Sequence, residues 1–349
     1  MAAKDHKSSV LEYPFADPPA RGAVVEVATA IYWIRLPLPM ALDHVNCYAL
    51  ADDDGWTLVD TGMSSKKTRA IWQELLAGPL AHLPVKRVLV THHHPDHVGL
   101  AGWFQQEFGA ELMMTRTAWL MARMLYLDAQ DAPPAETILF WKRAGMDPDI
   151  LAERMAGKPF NFVDAVHHMP LGYRRIKQGD CLHLAGRIWD VHIGNGHAPE
   201  HATLWSQDQE IVIAGDQIIS SISPNLGVYA TEPDADPVGD WIESCTRLGP
   251  LARATHLVLA GHKLPFRGLP HRMTQLVDNH HHALDRLLAD LNEPKSATQV
   301  FSCLYHRKIG AGEYGLALVE AVAHLNHLHQ TGRLRRFVDD DDAYRYVAI

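Results

Sequence analysis

Five short stretches of the chain share one pattern, an apolar run rich in β-branched residues that stops abruptly at a polar one. They are WTLVDTG (56–62), VKRVLVTHHHPDH (85–97), IWDVHIGNGH (188–197), EIVIAGD (210–216) and HLVLAGH (256–262). Short apolar runs closed by glycine or turn residues predict buried strands. Between them the apolar spacing turns helical. SKKTRAIWQELLAGPL (65–80) predicts a helix capped by Ser64, and LAGWFQQEFG (100–109) predicts another that ends at glycine. Strands alternating with helices indicate an α/β fold. VVEVATAIYWIRLP (24–37) reads as strands, and NCYALADDDGWTLVD (46–60) as a hairpin around Asp54-Gly55, so the first half is not purely parallel.

Two regions break this rhythm. Residues 117–178 hold three helical patterns rich in Met, Leu, Trp and Tyr. They predict a helical insertion that packs on itself and also forms a wall or lid over a pocket. After His262 come a long amphipathic helix (269–291), helical patterns over 296–307 and 312–332, and a hairpin over 333–349 with an acidic turn. That tail has a winged-helix-like order. The predicted organisation is an N-terminal extension (1–23), a catalytic domain (24–265) and the C-terminal region (266–349).

Composition narrows the function classes. The chain has 349 residues, 47% of them hydrophobic and 21% charged, with a formal net charge of -9, which suits an enzyme with a sizeable core. The acidic balance argues against nucleic acid or an anionic membrane as the main partner. The start, MAAKDHKSSVLEYPF, makes a poor secretory signal, and no apolar run is long enough for a membrane span. Cys47, Cys181, Cys245 and Cys303 form no CxxC pair and read as free, mostly buried thiols. A cytoplasmic setting is expected.

The 23 histidines change the picture, because several converge at the strand ends. In THHHPDH (91–97), residues two apart in extended chain point the same way, so His92 and His94 grip one ion together while His93 points away. Asp96 and His97 follow in a turn begun by Pro95 and face a second ion. Imidazole and carboxylate suit Zn, and also Fe or Mn. The remaining ligands come from the other strand ends, His197, Asp216 and His262, and the two oxygens of Asp216 allow it to bridge. A lone strand-end histidine is usually only a polar surface residue, but HxHxDH joined by GxGH, AGD and AGH is a rare combination.

HHHPDH, GNGHAPEH, IAGD and LAGH, in that order after TLVDTG, resemble the metallo-β-lactamase superfamily over residues 24–265. The resemblance implies a four-layer αββα sandwich with a dinuclear site at one edge. It implies His92, His94 and His197 on one metal, Asp96, His97 and His262 on the other, and Asp216 between them. Asp60 would orient the site from behind the ligands, and His201 would stand beside it as a structural histidine. His280, His281 and His282 lie mid-helix and read as solvated or packing residues, and His167 and His168 as pocket-lining at most.

Two divalent ions about 3.5–4 Å apart hold a hydroxide at neutral pH and polarise a carbonyl or phosphoryl oxygen, so hydrolysis is the expected reaction class. Asp216 stands where the β-lactamases that use a cysteine ligand carry that cysteine. The 217–261 gap is too short for the second domain of the nuclease branches. The motif set therefore looks like the glyoxalase II, thioesterase and lactonase branch. The expected substrate is a small acyl thioester or related ester, with a lactone or single-stranded RNA as alternatives, and Lys263 and Arg267 are candidates for holding substrate carboxylates. A winged-helix nucleic-acid role would use Arg333, Arg335 and Arg336, but Asp339 to Asp342 at the hairpin tip oppose it. The tail is expected to pack beside the active site or to make a homodimer contact.

Overall fold

The structure is a computed structural model that describes residues 11–305 and 307–349. The first residues of the expected N-terminal extension, and most of the stretch read as a poor secretory signal, lie outside the described residues. In chain order the elements are β1 (Val25–Ala28), β2 (Ile31–Pro37), β3 (His44–Asp52), β4 (Gly55–Val59), α1 (Lys66–Ala77), β5 (Val85–Leu89), α2 (Pro95–Val98), α3 (Ala101–Phe108) and β6 (Glu111–Met114). The insertion adds α4 (Arg116–Leu127), α5 (Ala135–Arg143), α6 (Pro148–Ala156) and β7 (Arg174–Arg175). Then follow β8 (Cys181–Leu184), β9 (Arg187–Gly194), β10 (His201–Ser206), β11 (Ile211–Gly215), α7 (Pro237–Leu248) and β12 (Leu257–Ala260). The chain closes with α8 (Leu269–Asp290), α9 (Phe301–Tyr305), α10 (Tyr314–Gln330), β13 (Leu334–Val338) and β14 (Tyr344–Ala348).

β1 to β7 form one sheet in sequence order, and a second sheet runs β12-β11-β10-β9-β8. In the first sheet β1 to β4 pair antiparallel and β4 to β7 parallel. Side chains alternate across each strand, and the alternation sorts the core into layers. On β2 and β3, Ile31, Trp33, Tyr48 and Leu50 face the second sheet, where they meet Leu204, Ile211, Ile213 and Leu259. Their neighbours Ile34, Leu36, Cys47 and Ala49 face outward, onto Ile71, Trp72 and Leu75 of α1 and Phe104 of α3. On the far side, Val212, Ala214 and Val258 face Trp241 and Cys245 of α7, Leu276 of α8 and Leu318 of α10. Helix, sheet, sheet and helix layers follow: the α/β four-layer αββα sandwich of the metallo-β-lactamase type, with the C-terminal helices supplying part of one outer layer.

Some elements differ from expectation. Ser65, one residue after the expected Ser64, caps α1, its hydroxyl accepting the Thr68 N–H at 3.0 Å. β6, β8, β10 and α7 carry no part in the sequence reading. The insertion does not pack only on itself. Ala118 and Ala122 of α4 join the outer core of the first sheet, whereas Phe140 and Ala144 of α5 join that of the second. The insertion thus reaches from one outer layer to the other. Cys47 and Cys245 are buried free thiols, but Cys181 is exposed because it falls on the outward face of the edge strand β8. Among the described residues no helix is long and apolar enough to cross a membrane.

Candidate metal centre

The site lies where strands of both sheets end. Asp60 follows β4, the 91–97 segment follows β5, and Asp216 and His262 lie just past the ends of β11 and β12. Backbone bonds lock these ends together: Ala202 N–H donates to Thr91 O at 2.8 Å, and Gly261 N–H to Gly215 O at 2.8 Å. The glycine of LAGH is a packing requirement. A Cβ on Gly261 would lie 2.2 Å from Asp216 Oδ1 and 2.7 Å from His97 Cε1.

His92, His94 and His197 bring three nitrogens together. His92 Nε2 and His94 Nδ1 are 3.0 Å apart, His94 Nδ1 and His197 Nε2 3.0 Å, and His197 Nε2 and His92 Nε2 3.3 Å. Nitrogens on a tetrahedral zinc, each about 2.0–2.1 Å from it, would be about 3.3 Å apart. The outer nitrogens decide what these atoms are. His197 Nδ1–H donates to the Asn225 carbonyl at 2.9 Å, which leaves a lone pair on Nε2. Thr91 Oγ1 spends its proton on the Asp60 carboxylate, at 2.9 Å from Oδ2, and therefore accepts from His92 Nδ1–H at 3.0 Å. His92 Nε2 also carries a lone pair. Two lone pairs facing each other at this distance repel unless a cation stands between them.

A second set adjoins the first. His262 Nε2 lies 3.1 Å from Asp216 Oδ2 and 3.4 Å from Asp96 Oδ2. His97 Nε2 lies 3.4 Å from Asp216 Oδ2 and 3.6 Å from Asp96 Oδ2. Both rings give their Nδ1–H away, His97 to Asp60 Oδ2 at 2.8 Å and His262 to the His44 carbonyl at 2.7 Å. Their Nε2 atoms thus face the carboxylate oxygens of Asp216 and Asp96, where a proton sits until an ion replaces it. His97 Nε2 and Asp216 Oδ1 are buried without a hydrogen-bond partner. Asp216 Oδ2 is also 3.5 Å from His197 Nε2, so one oxygen reaches both sets. The donor set, the facing lone pairs of the first set and the orphaned atoms of the second fit divalent ions.

Electrostatics separates the two sets. Burial, reinforced by the surrounding imidazoles, holds His92 and His94 well below the ordinary histidine value. These are neutral rings ready to bind. Burial also pulls on His262, but Asp216 and Asp96 outweigh it and hold the ring at about 10. His97 is raised in the same way, Asp216, Asp96 and Asp60 overcoming its burial. Burial raises the Asp216 carboxyl, yet His262 and His97 bring it well below the carboxylate range. Metal must therefore displace protons at the second set and not at the first.

Asp60 stands behind the ligands, at φ +60°. Besides His97 and the Thr91 hydroxyl, its carboxylate accepts the Thr91 N–H at 2.8 Å. His201 Nε2 accepts the Asp216 N–H at 3.0 Å while its ring stacks on His92 at 4.6 Å. Both are in contact with the site and outside the ligand groups. His93 is buried and turned toward Phe162, 6.4 Å between centroids. The His168 ring packs near Tyr126, and His167 bonds through its backbone to Gly99. Neither joins a ligand group. The Arg267 guanidinium donates to the Thr255 carbonyl. Sequence reasoning missed Thr91, His44 and Asn225. Thr91 adjoins the motif and was within reach. His44 and Asn225 act through main-chain carbonyls, which leave no residue-type signal.

Comparison with known proteins agrees with this geometry. A family model for the Metallo-beta-lactamase superfamily matches residues 40–262, and one for the Metallo-beta-lactamase-like C-terminal domain matches residues 284–349. A Bacillus subtilis (strain 168) protein named "Probable metallo-hydrolase YqjP" is 24% identical over 324 residues, covering 89% of this chain and 96% of that protein. The crystal structure of a Beta-lactamase domain protein from Burkholderia ambifaria superposes with a TM-score of 0.89 at 37% identity, over 97% of this chain and 98% of that one. A metallo-beta-lactamase family protein from Thermus thermophilus superposes with a TM-score of 0.77 at 27% identity, over 93% of this chain and 100% of that one.

Proposed function

The chain belongs to the metallo-β-lactamase superfamily, a superfamily of metallo-hydrolases, and on that premise we propose that it hydrolyses acyl thioesters or related esters with two divalent metal ions, zinc by preference. His92, His94 and His197 hold one ion, Asp96, His97 and His262 the other, and Asp216 reaches both. What two such ions supply is a nucleophile drawn from water at neutral pH and polarisation of the substrate carbonyl. The protein does the rest. Asp60 and Thr91 fix the tautomers of His97 and His92. Asp96, its side chain 17% exposed against 6% for Asp216, is the more exposed of the two carboxylates and would be the one to take up and return a proton.

The observation that carries the acyl reading is the return segment of the insertion. It lies against the site, with Ala165 O accepting Ser64 N–H at 2.8 Å and Gly99 O accepting His167 N–H at 2.7 Å. Its Phe162 faces His93, next to the ligand His94. Phe160 and Val163 beside it are exposed, as are Leu120 and Met124 of α4. Exposed apolar side chains on the insertion, which packs against the site, suit an acyl chain better than a phosphodiester backbone. A nucleic-acid role for the tail has little charge to work with. Arg333 is paired with Asp285 and Arg336 with Asp234, while Asp339 and Asp341 engage Arg345.

The test is thiol release from a panel of acyl-CoA and acyl-glutathione thioesters, using metal-reconstituted protein beside a chelated control. Fast release that the chelator abolishes is expected. No release from protein loaded with two metals overturns the thioester reading and moves lactones to the front.

A further inference from the structure

His197 differs from the other histidines of the centre in what stands behind it. His92 and His97 rest on Thr91 and Asp60 at the ends of β5 and β4, and His262 rests on the first residue of β3. These supports belong to the first sheet. His197 donates instead to the carbonyl of Asn225, which lies in the irregular segment between β11 and α7. A loop of that kind does not fix a carbonyl by itself. Something else must hold Asn225 for its carbonyl to orient an imidazole.

That support comes from the C-terminal region. The Asn225 side-chain amide donates to Glu320 Oε2 on α10 at 3.1 Å, and Leu316 O lies 3.5 Å from the same nitrogen. Three residues on, Val228 N–H donates to Val319 O at 3.1 Å. Leu226 and Val228 are buried in the same core as Leu318 and Val319. There is no slack between the two segments, since a Cβ on Gly227 would meet Val319 Cγ2 at 2.9 Å.

Resting on the reading that His197 is a metal ligand, we propose that Glu320 is a positioning residue of the metal centre: through the Asn225 amide it holds the carbonyl that sets the tautomer and direction of His197. The C-terminal region is then a working part of the site. Burial pushes the Glu320 carboxyl up to about 7, against the Asn225 amide, which lowers it. An uncharged side chain that keeps an acceptor oxygen in this place therefore costs little.

The experiment is cobalt titration of the metal-free full chain, read by the visible absorption bands that report histidine ligation, with zinc competition for affinity. Glu320→Ala is expected to weaken one of the two metal equivalents about tenfold, the lower end of the effect of removing an outer partner of a metal-bound histidine. Its cobalt bands should shift, and the second equivalent should bind as in the parent. Glu320→Gln should restore affinity to within about twofold, because an acceptor oxygen returns. Asn225→Ala keeps the carbonyl and loses the anchor, so it should match Glu320→Ala, and the double variant should be no worse than either, as for one shared interaction. Should Glu320→Ala fail to fold, the Asn225 variant carries the test. Parent-like affinity and bands in both alanine variants, or a Glu320→Gln as impaired as the alanine, overturns the proposal. If the parent chain takes up no cobalt, the metal reading falls and this inference with it.

Discussion

Two buried groups of histidines in this molecule look alike by composition and are opposites in chemistry. His280 on α8 and His324 on α10 stack at 5.4 Å, with His280 Nδ1 3.2 Å from His324 Nε2. His324 Nδ1–H donates to the Glu320 carbonyl at 2.8 Å, so its Nε2 accepts and His280 Nδ1–H donates. A proton lies between the rings, and the pair needs no ion. In the centre built on His92, His94 and His197 the outer nitrogens are all committed as donors where their partners are known, and the inner nitrogens meet lone pair to lone pair. The two groups differ in whether a ring is left to donate across the gap: His280 keeps its Nδ1–H for its neighbour, whereas His92 and His197 have both given theirs away.

The sharpest way to break this comparison is at Asp216, whose one oxygen reaches both ligand sets. Asp216→Ala should lower kcat/KM on the order of 10³-fold or more, as for loss of a principal catalytic group, and lower metal occupancy while the far-ultraviolet circular dichroism stays native. Full turnover would remove it from the bridging position. Asp60→Asn comes next. It spoils the acceptor for His97 Nδ1–H and should cost about 10–100-fold in metal affinity, read by chelator competition. His280→Leu should do the reverse, costing about 1–2 kcal/mol in urea unfolding and leaving metal stoichiometry unchanged.

Acid separates the groups again. Burial holds His280 at about 3 and His324 at about 4, below the unfolded value. Between pH 6.5 and about 4 the unfolded chain takes up protons that the folded pair refuses. Their contribution to stability is therefore lost as the pH falls through that window, and His280→Leu should flatten the slope of the urea midpoint against pH. His262 is held at about 10 in the metal-free chain. Its contribution is complete below pH 6.5 and fades as the pH rises toward 10, while metal uptake releases its proton and weakens as the pH falls. Equal slopes in the two groups would contradict the assignment. The smallest effect belongs to His93→Ala, which should leave metal affinity within about twofold, since its ring faces Phe162 and joins no ligand group. Loss of metal would mean that the alternation along 92–94 does not hold.

The cluster was legible because its side chains sit in short motifs at the ends of buried strands, where a period of two decides which side chains share a face. His92 with His94 could be paired on those grounds, Asp96 with His97 from the turn begun by Pro95, and the four-layer fold followed from the motifs' resemblance. What supports the ligands was largely illegible. His44 and Asn225 contribute carbonyls, which every residue has. β10 reads HATLWS, is buried on both faces and shows no alternation. α7 does carry start signals, Asp236 as cap and Pro237 in its first turn, and these alone were available to find it. The reach of the insertion between the two outer layers depends on tertiary contacts that no local pattern encodes.

The central claim is that seven side chains from four strand ends hold two ions. Its most direct test is elemental analysis of the chain after reconstitution with zinc and removal of free metal. The account predicts about two equivalents per chain, falling in the Asp216→Ala variant. Less than one equivalent in the correctly folded parent chain would contradict it.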